Sequence, residues 1–110
     1  MGNVFLPSFG TANKCEISQH HTPVPLRYVW HHILPQTCGG KTIAANLIEV
    51  CDNCHYGIHA LLYSMKLNNG KVDSKYSHLI GSQRYNVAKA GYQAALDTNT
   101  VSQIPNEGAD

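Results

Sequence analysis

The chain has 110 residues, a formal net charge of +1, 14% charged residues and 43% hydrophobic residues, so it is one domain's worth of polymer and no disordered polyelectrolyte. Its longest apolar runs are three or four residues (Tyr28-Val29-Trp30, Ala60-Leu61-Leu62-Tyr63), far short of the roughly 20 that a membrane-spanning helix needs. Seven histidines and four cysteines are the compositional anomaly, and they point to metal.

The opening MGNVFLPSFGTANK lacks the basic start and long apolar centre of a signal peptide, so the expected location is the cytoplasm, where thiols serve as ligands more readily than as disulfides. Residues 1–14 read as a loosely held arm whose Val4, Phe5, Leu6 and Phe9 can pack on the domain or on a second subunit. Leu26 to Leu34 is rich in β-branched and aromatic residues between Pro25 and Pro35, and reads as a strand. Gln36 to Lys41 contains Gly39-Gly40 and reads as a loop, and Leu47 to Cys51 as a short strand returning antiparallel. From Cys54 to Leu67, Ile58, Leu61, Leu62 and Met65 follow the three-four spacing of an amphipathic helix, stopped by Asn68-Asn69-Gly70.

A last helix, from Gln83 to Leu96 with Ser82 as its N-cap, carries Tyr85, Ala88, Tyr92, Ala95 and Leu96 on one face. Gly91 weakens its intrinsic propensity. Residues 98–110 show no period and are expected to be a flexible tail. That tail holds Glu107 and Asp110 and no base, which leaves eight basic against five acidic residues elsewhere. The fold class is α+β, with a β–β–α core and a supporting C-terminal helix.

His55 and His59 lie four apart on the middle helix, so both imidazoles share one face and can meet one ion. His31-His32 is a second pair, but adjacent strand residues point to opposite faces. One of those rings can join the helix pair on the ion while the other acts as a base. Cys51-x2-Cys54 is half of a tetrahedral zinc knuckle. Cys15 and Cys38 are the candidates to complete it, with His20 or His21 competing for the fourth place. Cys54 and His55 diverge by about 100° on a helix, so a thiolate zinc would be separate from the histidine metal.

Taken together, Trp30-His31-His32-Ile33-Leu34-Pro35, Gly39-Gly40, Asn46-Leu47-Ile48-Glu49-Val50-Cys51, Cys54-His55 and Ile58-His59 resemble the HNH endonuclease pattern over about residues 15–62. The resemblance implies a ββα-metal finger (His-Me finger) with an extra C-terminal helix and flexible termini. A single nuclease domain would span 15–97, with its motif core at 28–67 and its supporting helix at 82–96. His32 would be the general base, His31, His55 and His59 the ligands of one catalytic divalent metal, and Asn46 the amide that braces the loop and orients the base. Relatives often carry an upstream C-x2-C where this chain has only Cys15, a departure that bears on the knuckle.

The expected partner is double-stranded DNA, held through phosphates by Arg27, Lys41, Lys66 and Arg84. An all-imidazole set suits Zn2+, Ni2+ or Mn2+ better than Mg2+, and a structural zinc is expected beside the catalytic ion. A homodimer is compatible with the apolar arm, and a phage origin is common for small proteins of this kind. Two other readings compete: a zinc-stabilised module that binds nucleic acid without cutting it, and a metallohydrolase of small molecules. The first leaves His32 without a role, and the second needs a deeper pocket than so small a finger offers.

Overall fold

The computed structural model describes residues 28–106, and every structural statement below concerns these. The apolar stretch Tyr28–His32 forms strand β1, and Leu47–Cys51 forms strand β2. They pair antiparallel in the register Tyr28↔Cys51, Val29↔Val50, Trp30↔Glu49, His31↔Ile48 and His32↔Leu47. The strand expected over 26–34 is shorter at its end because Asn46 takes over the pairing. Its backbone carbonyl accepts the Ile33 N–H at 2.9 Å, its side-chain oxygen accepts the Leu34 N–H at 2.9 Å, and Pro35 has no N–H to continue the ladder.

The connector between the strands is not the plain loop expected from Gly39-Gly40. It contains two short 3-10 turns, Gln36–Cys38 and Ala44–Asn46. Pro35 O accepts from both Cys38 N and Gly40 N at 2.9 Å, and Gly39 adopts φ 91° to close the first turn. A Cβ at Gly40 would collide with the Leu34 carbonyl oxygen. The connector therefore lies flat on the end of β1, and only glycine permits that approach.

Helix α1 (Asp52–Leu67) starts directly after β2, two residues earlier than the periodicity predicts. Cys51 is its N-cap, with Sγ accepting the Cys54 N–H at 3.4 Å. Ile58, Leu61, Leu62 and Met65 are buried, as their spacing predicts. The stop at Asn68-Asn69-Gly70 is also as predicted: Asn69 and Gly70 take φ 55° and 91°, and Gly70 N donates to Met65 O at 2.7 Å.

A 3-10 segment, Ser74–Leu79, leads to helix α2 (Gln83–Asp97), whose N-cap is Ser82 with Oγ accepting from Tyr85 N at 3.1 Å. Ala88, Gly91 and Ala95 are its buried residues, while Leu96, expected on the packing face, is 44% exposed. At Gly91 a Cβ would lie 2.5 Å from the Ile33 carbonyl oxygen and 2.8 Å from Leu62 Cδ1. The residue that weakens the helix in isolation is the one that lets α2 reach both the end of β1 and the face of α1.

The expectation of a flexible tail over 98–110 is corrected for its first part. Val101–Gln103 form a 3-10 turn and Ile104 is 2% exposed in the core. Three side chains from elsewhere in the fold hold this segment: Thr37 Oγ1 donates to Gln103 O at 3.0 Å, Cys38 Sγ to Thr100 O at 3.4 Å, and Lys66 Nζ to Ile104 O at 3.1 Å. Burial of Ile104 and these bonds offset the entropy that a free end would keep. The arm at residues 1–14 lies outside the described residues. No helix among those described is long and apolar enough to cross a membrane.

Candidate metal centre

Strand β1 and helix α1 meet at their histidines. His31 on β1 and His59 on α1 are fully buried and His55 is half-buried. The three rings pack edge to face, with centroids 5.3 Å (His31–His55), 5.1 Å (His31–His59) and 4.8 Å (His55–His59) apart. Aromatic packing alone produces such distances. What distinguishes this cluster is that one ring nitrogen from each histidine lies within 4.8 Å of the other two. A tetrahedral ion with bonds of about 2.0–2.1 Å needs its donors roughly 3.3 Å apart, so closing on an ion requires the nitrogens to approach by at most about 1.5 Å. His31, His55 and His59 thus form a group that could hold a metal ion, and three neutral imidazoles are a donor set that late first-row divalent ions favour.

The strand alternation separates His31 from its neighbour. His31 meets the helix pair, whereas His32 turns to the connector, where its Nε2 lies 2.9 Å from Thr42 Oγ1. Gln36 Nε2 approaches the same hydroxyl at 3.5 Å. Neither Thr42 nor Gln36 was singled out by sequence, because a bond spanning ten residues across an irregular connector leaves no periodic trace.

Asn46 supplies the frame for this arrangement. Besides accepting from Leu34 N, its Nδ2 donates to Leu34 O at 3.1 Å and to Lys41 O at 3.0 Å. One amide therefore ties the backbone two residues beyond His32 to the backbone one residue before Thr42. Asn46 thus braces main chain on both sides, and Thr42, which this bracing places, is in contact with the His32 ring.

The remaining sequence candidates scatter. Lys41 is exposed beside the Thr42 corner. Lys66 is turned away onto the Ile104 carbonyl and lies over the Tyr63 ring. Arg84 lies across Gly57 of α1, where a Cβ would meet its Cδ at 2.7 Å, and its Nη2 donates to Cys54 Sγ at 3.7 Å. Both are therefore occupied within the fold. Arg27, Cys15, His20 and His21 lie outside the described residues.

Cys38, Cys51 and Cys54 are buried, but among the described residues they do not gather into a group able to hold an ion. The expected knuckle also draws on Cys15 and on His20 or His21, which lie outside the described residues; within them Cys38 takes part in another contact. Its Sγ is directed to Thr100 O, and it sits in the turn that anchors the C-terminal segment.

No family model, curated protein or solved structure matches the chain.

Proposed function

We propose that the chain is a metal-dependent endonuclease of the HNH type, built on a ββα-metal finger, which hydrolyses DNA phosphodiester bonds with one divalent ion. The observation that carries this reading is the division between two adjacent strand residues: His31 converges with His55 and His59, while His32 stands on the opposite face against Thr42. A merely structural ion would account for the first three histidines and give the fourth no chemical role.

In this reading His32 takes a proton from a water molecule, whose oxygen forms a bond to phosphorus as the bond to the 3′ oxygen breaks in line. His31, His55 and His59 hold the ion, which when bound supplies positive charge to the phosphate and to the departing oxygen. Asn46 keeps the connector, and with it Thr42, against the end of β1 beside His32. Lys41, exposed on that connector, is the basic residue best located to meet a neighbouring phosphate, an interaction that weakens with salt.

The test is cleavage of supercoiled plasmid by the purified chain with Mg2+, Mn2+, Ni2+ or Zn2+, beside His32→Ala. The expected outcome is metal-dependent cutting that falls by about 10²–10⁴-fold in the variant, the usual contribution of a general base, with metal affinity unchanged. Cutting by His32→Ala at the parent rate would overturn the mechanism. Metal-dependent DNA binding without any cutting would establish the binding-module reading instead.

A further inference from the structure

We propose that a second copy of this chain docks on the outward face of α1, the two helices lying antiparallel about a two-fold axis. The inference is independent of the nuclease reading. Tyr56, Ala60, Tyr63 and Leu67 recur at steps of four and three residues, which keeps them within about 60° of arc on a helix. They lie opposite the buried face of Ile58, Leu61, Leu62 and Met65. Tyr56 is 64% and Leu67 62% exposed, with Ala60 and Tyr63 half-buried between them. This stripe holds no charge, although the outward side of a surface helix is where charged and polar residues ordinarily stand. Lys66, the cation on its flank, is drawn back onto the Ile104 carbonyl and over the Tyr63 ring.

The order of the four residues makes the stripe complementary to itself, which is what a two-fold contact requires. An axis midway between Ala60 and Tyr63 sets each Ala60 against the partner's Tyr63, and each Tyr56 against the partner's Leu67. Small then meets large at the centre, as interlocking helix ridges need. At the ends, Leu67 is also a wall of an open groove of about 560 Å³, formed with Asn68, Lys71 and Val72 beyond the helix. Tyrosine suits such a groove, because its ring can rest on Leu67 and Val72 while its hydroxyl meets the polar rim. The projecting side chain at the start of α1 and the groove at its end therefore belong to one surface. His55 lies about 100° round the helix from Tyr56, so this pairing leaves the metal centre uncovered. From Tyr56 to Leu67 the helix rises only about 16 Å, and a strip of that length buries less than the roughly 800 Å² per partner of a standard interface. The dimer is accordingly a reversible one.

The experiment is sedimentation equilibrium of the full chain from about 10 μM to about 1 mM, the range of weak pairs, beside Ala60→Glu and Tyr56→Gln. The parent's average mass should rise towards that of two chains. Ala60→Glu places like charges beside the axis and should raise the dissociation constant at least about tenfold, with the circular dichroism unchanged. Tyr56→Gln should weaken pairing in the same direction, and it serves if Ala60→Glu fails to fold. The antiparallel register is read by mild oxidation of Tyr56→Cys and Leu67→Cys chains. Cross-linked dimer should form when the two variants are mixed, and neither variant alone should exceed the parent.

A parent that stays monomeric at 1 mM would overturn the proposal, and nuclear Overhauser contacts from Leu67 to Phe5 or Phe9 of the same chain would then give the face to residues 1–14. Self-association equally strong in Ala60→Glu and Tyr56→Gln would move the interface to another surface. Cross-linking of either cysteine variant with itself, and none in the mixture, would rule out the antiparallel pairing.

Discussion

The two helices bury different kinds of surface. Helix α1 puts Ile58, Leu61, Leu62 and Met65 into the core and presents His55 and His59 to β1, whereas α2 contributes Ala88, Gly91 and Ala95. Large apolar residues on α1 hold it in one orientation, which a pair of ligands needs. Small residues on α2 let it approach closely, to the Ile33 carbonyl and to Leu62. One helix carries two of the candidate metal ligands and the other packs against it. The difference implies that damage to α1 should register in metal binding and damage to α2 in stability.

The largest expected effect is on the α1 side. His59→Ala should keep the helix, since alanine is the better helix former, and should lower zinc or nickel affinity by more than the roughly 10–100-fold typical of losing an outer-shell partner. Calorimetric titration with the fold checked by circular dichroism measures this. An unchanged affinity would take His59 out of the ligand set and end the contrast between the helices.

Gly91→Ala probes α2. Alanine gains about 1 kcal/mol of helix propensity, but its Cβ meets a backbone carbonyl that has little freedom to yield, and overpacking costs about 1–3 kcal/mol. A net loss of up to about 2 kcal/mol in denaturant unfolding is expected, with metal affinity retained. A parallel loss of metal affinity would show that α2 sets the ligand geometry as well, and would merge the two roles.

Smaller effects refine the picture. Ser82→Ala removes the N-cap bond to Tyr85 and should cost about 1 kcal/mol in the same unfolding assay. Leu96→Gln, on an exposed part of α2, should change stability by no more than about 0.5 kcal/mol. A larger loss there would mean that this face of α2 packs against something in solution.

The legible parts of the molecule were those with a period. The i, i+4 pair on α1 and the alternation of His31 and His32 on β1 are consequences of helix and strand geometry, so residues alone were enough to propose His55, His59 and one ring of the strand pair, while the family resemblance selected His31. The stop at Asn69-Gly70 and the cap at Ser82 were readable because local backbone chemistry dictates them. Thr42, Gly40 and the Arg84–Gly57 contact were not, because each depends on where an irregular segment or a second helix comes to rest. The C-terminal segment was misread for a related reason: a single apolar residue, Ile104, anchors it without any repeating pattern.

That anchoring segment also bears on the order in which the molecule can be assembled. Residues 37 and 38 of the connector bond to residues 103 and 100, across sequence separations of 66 and 62. Contacts so distant along the chain require closure of a long loop before they stabilise anything. A growing polypeptide emerges from its N-terminal end, so the ligand-bearing strand and helix are available well before residues 100–104. The connector that carries Thr42 acquires its last braces only when those residues arrive, which makes completion of the site a late event in the life of the nascent chain.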